Sequence, residues 1–276
     1  MLNEVFLDAI KNRDTKISKV KDSNFDKILS EASSRWVPYE PSATKCESAG
    51  VDSSWNKRAF QGLHLYVVDA VAVTSTNKIL ATEWDHDITG SARADFLESK
   101  AMAMEASAAQ KAADKVDIIC IDGSLISRLS NSSTEAASEM VSKCNSCIFV
   151  SKSSESRFQF RDLGSKAGDI FYYGHANRRA GFSIPARTRF SHTPLYEIYA
   201  RLRDHTPMIR IEMIGEQREQ EVISSLDKLR YHSIAGYPYC LKIAHNTCKI
   251  SNEDIDRLAS IFNLQHEQGA RDALNA

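Results

Sequence analysis

The sequence lacks any long apolar run. None of its hydrophobic stretches approaches the roughly 18 residues that a membrane-spanning helix requires. The N-terminal residues MLNEVFLDAIKNRD also lack the basic-then-apolar pattern of a signal peptide. No internal repeat is visible. We therefore expect a cytoplasmic protein that does not associate with a membrane.

Cysteine is scarce as well. Six cysteines scattered over 276 residues are too few for a secreted disulfide scaffold, so we expect them to be reduced. Cys144 and Cys147 form a single CxxC motif without a second pair, which favours packing over zinc or redox chemistry. The composition, 42% hydrophobic and 26% charged, argues against disorder and suits one large domain, with or without a helical appendage.

Net charge is small, but its distribution is uneven. The whole chain carries -1, whereas residues 152–210 hold eleven Lys and Arg against five Asp and Glu, a net +6. Nine Phe and Tyr residues lie in the same segment, which includes Arg178 and Arg179. Mixed cations and aromatic rings are typical of grooves that hold phosphates and stack bases. An ordinary solvated sheet with basic edges is the alternative.

The N-terminal part of the chain has helical spacing. Apolar residues recur at Phe6, Leu7 and Ile10 and again from Phe25 to Leu29, and two prolines follow at Pro38 and Pro41. We therefore predict an N-terminal helical arm and linker over residues 1–40 and a main domain over residues 41–276.

The main domain begins with three extended runs, SAGVD, GLHLYVVDAVAVTS and KILATEWDHDI, which predict an antiparallel meander. A helix from Arg93 to Lys115 follows, because this stretch is rich in strong helix formers and contains no Gly or Pro. The strand DIICID, a helix over residues 132–143 and the strand CIFVSKS come next. This alternation predicts parallel pairing in an α/β fold.

The last third of the chain mixes short elements. We predict strands at GDIFYYG and TPMIRIEMI, and helices over residues 194–203, 216–230, 238–248 and 252–265. Pro238 suits the first position of its helix, where a missing N–H has no cost.

Two carboxylates each end a predicted apolar strand. Asp52 ends SAGVD before the pair Ser53-Ser54, and Asp122 ends VDIICID before Gly123. The ends of neighbouring strands lie side by side, so the two can converge on one cation. Each alone could instead cap a turn or helix.

Glu105 and His245 lie on the core-facing sides of predicted helices. Glu105 falls beside a stripe that contains Leu97, Ala101 and Ala108, so its carboxylate points toward the sheet, unless it snorkels at the edge of the stripe. His245 follows Leu241 by one helical turn, although a lone histidine on such a face is more often simply hydrogen-bonded.

Three carboxylates and an imidazole facing a core indicate a shared divalent cation, because buried unpaired charges are costly. Imidazole suits Mn²⁺ better than Mg²⁺, which prefers oxygen ligands. Asp69, alone inside LYVVDAVAV, is the rival ligand.

The order of these motifs resembles the NurA nuclease family. The sequence has DSS, then a Glu in an alanine-rich helix seventeen residues before the Asp of IDGS, then FVSK, then GYP ending in AH. The similarity covers residues 47 to about 265. It implies a ribonuclease-H-like, PIWI-like fold with a mixed central sheet flanked by helices. It also implies a homodimer that cleaves DNA with manganese, including 5′-to-3′ exonuclease action, and that works with the hexameric ATPase HerA in end resection.

The resemblance also implies residue roles. It assigns metal binding to Asp52, Glu105, Asp122 and His245, and an active-site role to Tyr237, with Tyr239 as a close alternative. Lys152 matches, more loosely, a basic residue near the scissile phosphate. Single- and double-stranded DNA are the expected substrates, in endonuclease as well as exonuclease cleavage, and Mg²⁺ remains possible as the ion.

Two other functions stay open. The chain could be a non-catalytic DNA clamp or adaptor for the ATPase, which would keep the basic surface without the chemistry. It could also be a ribonuclease-H-like enzyme that acts on RNA, because this fold serves both nucleic acids.

Overall fold

The computed structural model describes residues 2–131 and 133–267, which form ten α-helices and twelve β-strands. The helices are α1 (Leu2–Lys11), α2 (Arg13–Ser18), α3 (Phe25–Ser34), α4 (Ala94–Ala112), α5 (Leu125–Asn131), α6 (Thr134–Lys143), α7 (Asp169–Ala176), α8 (Glu219–Tyr231), α9 (Tyr239–Thr247) and α10 (Asn252–Ile261). The strands are β1 (Trp36–Pro38), β2 (Ser48–Ala59), β3 (His64–Thr74), β4 (Ile79–Thr89), β5 (Ile118–Asp122), β6 (Ile148–Ser151), β7 (Gly181–Ser183), β8 (Ala186–Phe190), β9 (Thr193–Arg201), β10 (Ile209–Ile214), β11 (Ser233–Ile234) and β12 (Tyr237–Pro238).

A ten-stranded mixed sheet is the centre of the fold. Its order is β1-β7-β9-β10-β6-β5-β2-β3-β4, with β8 paired to β9. Strands β2, β3 and β4 form the predicted antiparallel meander, and β5 lies parallel to both β2 and β6. These pairings confirm the meander and the parallel unit.

Helices cover both faces of the sheet. On one face, Val51 and Ile121 pack against the alanines of α4 and against α5 and α6. On the other, Cys120 and Val150 pack against α8 and α9. Alternate residues of β2 and β5 thus enter different cores, so neighbouring positions on one strand serve opposite layers.

The N-terminal helices differ in how they pack. None of the residues of α1 and α2 is buried, whereas Ile28 and Ala32 of α3 are fully buried against Tyr172 and Tyr173 of α7. Strand β1 pairs with β7 at one edge of the sheet. The division of the chain at residue 40 stays a prediction.

Several predicted elements are wrong in type. The segment GDIFYYG is helix α7 rather than a strand, and residues 194–203 lie mostly in β9 rather than in a helix. Asp52 does not end its strand, because β2 continues to Ala59 and Ser53 and Ser54 pair with β3. Pro238 precedes the first residue of α9 instead of occupying it. Helix α5 was not predicted.

No helix within residues 2–131 and 133–267 combines the length and apolarity that crossing a membrane would require.

Candidate metal centre

The parallel pairing of β2 and β5 brings two carboxylates together. The paired residues run from Ser48 and Ile118 to Val51 and Ile121, so Asp52 and Asp122 are the next residue on each strand. In a parallel pair, aligned residues point to the same face of the sheet. The two side chains therefore lie side by side where β5 ends, as the sequence predicts, although β2 continues past this point.

Helix α9 supplies an imidazole to the same face. It lies directly on the backbone of β2, since a Cβ atom on Gly50 would fall 2.7 Å from the Leu241 backbone nitrogen and closer still to the Cys240 carbonyl. About one turn after Leu241, His245 Nδ1 lies 2.9 Å from Asp52 Oδ2. The side chain of His245 is 58% exposed, so it faces solvent more than a core position would.

Three of the predicted ligands form one group. Ligand atoms of Asp52, Asp122 and His245 all lie within 4.8 Å of one another. Burial, and then the neighbouring charge of Asp122, raise the pKa of Asp52 above its usual value. A divalent cation between these groups would remove that repulsion. Two carboxylates and an imidazole suit a manganese-like ion, so the donor set fits the implied metal.

Glu105 lies next to this group but on the other face of the sheet. Its side chain is 1% exposed, accepts a hydrogen bond of 2.5 Å from Ser53 Oγ and forms an ion pair with Arg128. Ser53 follows Asp52 on β2 and therefore points away from α9. The structure confirms that Glu105 faces inward but does not bring it into the group of three, so its role as a fourth ligand stays a prediction.

Arg128 was missed in the sequence. This arginine of α5 pairs with Glu105 and donates a second hydrogen bond to the Asp122 carbonyl oxygen. A buried glutamate requires a cation or a hydrogen-bonding partner, and Arg128 lies only six residues after Asp122. A core-facing glutamate together with an arginine close to Asp122 was the signal in the sequence that could have identified Arg128. The guanidinium links the Glu105 side of the site to the end of β5.

Both oxygens of the Asp122 carboxylate have partners. Tyr237 donates its O–H to Oδ1 at 2.8 Å, and Lys152 Nζ lies 3.3 Å from Oδ2. Lys152 also lies over the Tyr237 ring, 5.1 Å from its centroid. Burial and the Asp122 charge raise the pKa of Tyr237, so the phenol remains a donor. Tyr239 lines the same 300 Å³ cavity as Tyr237, Lys152 and His245, but it is Tyr237 that donates a hydrogen bond to Asp122, which favours Tyr237 of the two.

Asp69, the rival ligand, lies on β3 with its face toward α9 and opposite Ser54. Burial raises the pKa of Asp69 to about 7, and the Asp52 charge adds to this effect. Within the described part of the chain, Asp69 Oδ1 is buried and has no hydrogen-bond partner. Asp69 is not a member of the group of three.

The basic segment does not form one continuous binding surface. Five of its nine rings are fully buried in the core, namely Phe160, Tyr172, Tyr173, Phe182 and Tyr199. Arg201 and Arg210 are also buried, at 4% and 5% exposed. The prediction that these rings stack bases is therefore wrong, because packing against α3 and the sheet takes up their faces. Among the nine rings, Phe158 differs because its side chain is exposed, at 44%.

Comparison with known proteins gives consistent results. The curated DNA double-strand break repair nuclease NurA of Sulfurisphaera tokodaii is 26% identical over 132 residues, which are 43% of this chain and 38% of that protein. The matched stretch is thus well under half the length of that relative.

Solved structures match over nearly the whole chain. The crystal structure of the NurA nuclease from Sulfolobus solfataricus superposes with a TM-score of 0.80 at 21% identity, covering 95% of this chain and 97% of that one. A crystal structure of NurA bound to dAMP and manganese gives a TM-score of 0.65 at 11% identity, with 99% of both chains covered. These matches and the order of the strands confirm the predicted α/β fold class, a mixed central sheet flanked by helices.

A sequence profile described as the NurA domain matches residues 47–250, which include every predicted site residue. The chain belongs to the NurA domain family.

Proposed function

We propose that this chain is a divalent-metal-dependent DNA nuclease that hydrolyses phosphodiester bonds. The single observation that carries the proposal is the group of Asp52, Asp122 and His245, whose ligand atoms lie within 4.8 Å of one another. Lys152 and Tyr237 lie on the same carboxylate, Asp122. A cation-binding group beside a cationic side chain and a phenol is an arrangement suited to a phosphate diester.

Asp52, Asp122 and His245 would hold the ion, with Mn²⁺ preferred and Mg²⁺ possible. When bound, such an ion lowers the pKa of a water molecule and stabilises charge on phosphate oxygens. Glu105 is proposed as a further ligand. Its buried position beside Ser53, the neighbour of Asp52, supports that role. Arg128 would then orient Glu105 and the end of β5.

Lys152 and Tyr237 would act on the substrate. The Lys152 side chain is 52% exposed, so its ammonium can leave Asp122 for a phosphate oxygen while the stem stays beside Tyr237. The Tyr237 phenol keeps its proton because burial and Asp122 raise its pKa. When its single O–H turns from Asp122, it can donate a hydrogen bond to a water molecule or a phosphate oxygen, but it does not serve as a base.

The finer functional statements are also proposals. We infer single- and double-stranded DNA as substrates, with 5′-to-3′ exonuclease and endonuclease cleavage in end resection and repair. We further infer a cytoplasmic homodimer that works with a HerA-type hexameric ATPase. Membership of the NurA domain family and the dAMP and manganese found with a similar structure support the substrate and the metal.

Two alternatives give different results in one assay. A DNA clamp or adaptor for the ATPase would bind DNA without cutting it, and would not require three grouped ligand atoms. A ribonuclease-H-like enzyme of RNA would degrade RNA instead. End-labelled single-stranded DNA, double-stranded DNA and RNA should be incubated with Mn²⁺ or Mg²⁺. We expect degradation of both DNAs with Mn²⁺, and the 5′ and 3′ labels report the polarity.

A matched pair of variants assigns the activity to this site. Asp122→Asn preserves the shape of the side chain but removes the charge that binds a cation, so we expect cleavage to be lost while DNA affinity and melting temperature stay near wild type. Asp87→Asn makes the same chemical change on the exposed face of β4 and should cut as wild type does. Cleavage by Asp122→Asn at the wild-type rate, or none by the wild type, would support the clamp instead.

A further inference from the structure

Two adjoining cavities lie next to the loop after β6, on the face of the sheet that α5 covers. One has a volume of 540 Å³ and the other 530 Å³, and both are lined by Phe158 and Thr188. Together they form a continuous depression between the loop after β6 and the β8 strand. We call it the basic groove and define it by Arg157, Phe158, Arg161, Arg187, Thr188 and Arg189.

The groove carries a net positive charge, since five arginines line the two cavities against the carboxylates of Glu155 and Glu197. Across the part of the chain that the structure describes, Arg157, Arg161 and Arg189 are exposed and form no ion pair with a carboxylate. Arg187 pairs with the equally exposed Glu216, a contact that solvent screens. Exposed arginines without carboxylate partners can contact phosphate oxygens through two N–H groups. Their spacing along one depression is therefore suited to a polyanion.

Phe158 provides an exposed ring in the middle of this charge. The ring is 44% exposed although the loop that carries it is firmly held. Ser156 Oγ and Gln159 Nε2 donate hydrogen bonds of 3.2 and 3.1 Å to the fully buried Glu197, and the Gln159 backbone N–H donates to Asp169. The hydrogen bonds on both sides of Phe158 fix the backbone, so the ring has a defined place in the groove.

Two connections join the groove to the metal centre. The loop that ends at Phe158 starts at Lys152, whose ammonium lies on Asp122. Arg210 lines the groove and donates a hydrogen bond of 2.9 Å to Ser124 Oγ, two residues after Asp122. Arg210 points to the face of the sheet opposite Asp122, so a chain of phosphates would pass the ends of β5 and β6 on its way from the metal centre into the groove.

We propose that the basic groove binds a single-stranded stretch of the nucleic acid whose phosphodiester lies at Asp52 and Asp122. The arginines contact successive phosphates, and an unpaired base stacks on Phe158. A duplex does not fit this description, because its bases present no free face to the ring. The proposal rests on the nuclease function proposed above and adds the path of the strand away from the metal centre.

The test compares groove variants with a control from the same basic segment. Arg157→Ala with Arg161→Ala removes two charges from the groove, whereas Arg178→Ala with Arg179→Ala removes two exposed charges from the turn after α7, outside both cavities. Binding of a fluorescein-labelled oligothymidylate to the metal-free protein should be measured by anisotropy at several salt concentrations. Melting temperatures verify that all variants fold.

The groove pair should reduce the slope of log affinity against log salt by about 1.4, since each single-strand phosphate contact contributes about 0.7. Phe158→Ala should weaken binding by about tenfold or more with an unchanged slope, because stacking is not ionic. The control pair should match wild type. An equal loss in both pairs would indicate a diffuse basic surface and would overturn the proposal. Tighter binding of polyglutamate than of oligothymidylate would mean that the groove takes an acidic protein, and this outcome would also overturn the proposal.

A small substrate separates this proposal from the nuclease function. Thymidine 5′-p-nitrophenyl phosphate with Mn²⁺ reaches the metal centre but has no strand to place in the groove. Groove variants should hydrolyse it at the wild-type rate, while their KM for oligothymidylate rises. If wild type cleaves both substrates and the variants equal it on both, the groove has no such role and the nuclease function stands. If wild type cleaves neither, both proposals fail.

Discussion

Replacing Gly50 with alanine tests whether close packing of α9 on β2 builds the metal centre. The added Cβ would fall 2.7 Å from the Leu241 nitrogen, whereas ordinary van der Waals contact begins at about 3.4 Å. Both partners are backbone, so no side chain can rotate away. The start of α9 must then move outward by roughly 1 Å, and overpacking of this kind costs about 1–3 kcal/mol of unfolding free energy.

The displacement should also reach the ligands. His245 is carried by α9 and lies 2.9 Å from Asp52 Oδ2, while metal ligands tolerate only about 0.2 Å of error. We expect Gly50→Ala to weaken Mn²⁺ binding by roughly tenfold or more, the size of effect seen when the support of a metal ligand is lost.

Urea unfolding and titration with Mn²⁺ on the same preparation measure both effects. Gly90→Ala is the matched control, because a Cβ there meets no atom within 4 Å. It also accounts for the reduced entropy of the unfolded chain that any Gly-to-Ala change brings. If Gly50→Ala is as stable as Gly90→Ala and binds Mn²⁺ equally well, the close approach of α9 does not position His245 and the reasoning is refuted.

Three further predictions concern single carboxylates and the phenol. Asp52→Asn and Asp122→Asn together should lower the cleavage rate no more than either alone, because the loss of one ligand already disables the site; additive losses would mean that the two act separately. Tyr237→Phe should lower kcat by roughly tenfold or more with little change in Mn²⁺ affinity, whereas Tyr239→Phe should have no effect, and the reverse pattern would exchange their roles. In the metal-free protein, burial raises the pKa of Asp69 from 3.8 to about 7. Between these two pH values the folded chain retains a proton that the unfolded chain has lost, so the free energy of unfolding falls as pH rises. Asp69→Asn should therefore match wild type at pH 4 in urea unfolding and exceed it at pH 8 by about 1–2 kcal/mol, a figure reduced for partial solvent exposure; a constant difference between the two pH values would contradict the assignment.

The meander and the parallel unit could be predicted because their signals are local. Strands β2, β3 and β4 are long extended runs with turn residues between them, and α4 has strong helix formers along its whole length. The convergence of Asp52 and Asp122 also followed from strand alternation. Its exact form did not, because β2 continues beyond Asp52 to pair with β3.

The errors after residue 157 have a tertiary cause. Leu195, Ile198 and Leu202 are spaced as in a helix, yet they lie in β9 or directly after it. All three are buried because both faces of this strand are covered. Tyr172 and Tyr173 have high strand propensity, but α7 buries both rings against α3 and the sheet. Tertiary partners decide such cases, the neighbouring strands for β9 and the distant helix α3 for α7, and the local pattern does not contain them.

The candidate site was only partly accessible from sequence. Core-facing position identified Glu105, but the pattern could not say that Ser53 and Arg128 would be its partners on the far face of the sheet. The sequence also did not predict that most rings of the basic segment are buried. Phe158 and Phe160 are two positions apart, yet Phe158 is exposed and Phe160 is fully buried. Side chains in a loop do not alternate regularly between two faces, so the sequence does not predict which of them are exposed.

The metal centre joins distant parts of the chain, and this affects when activity can arise during synthesis. Asp52 and His245 are 193 residues apart, and Asp122 and Tyr237 are 115 apart. The meander can fold from local hairpins while the ribosome is still at work, but a chain that stops before α9 has the carboxylates without the phenol or the imidazole. Such incomplete chains would leave uncovered the face of β2 on which α9 packs. Under the proposed function, unfinished copies of the chain would therefore leave the DNA of the cell uncut.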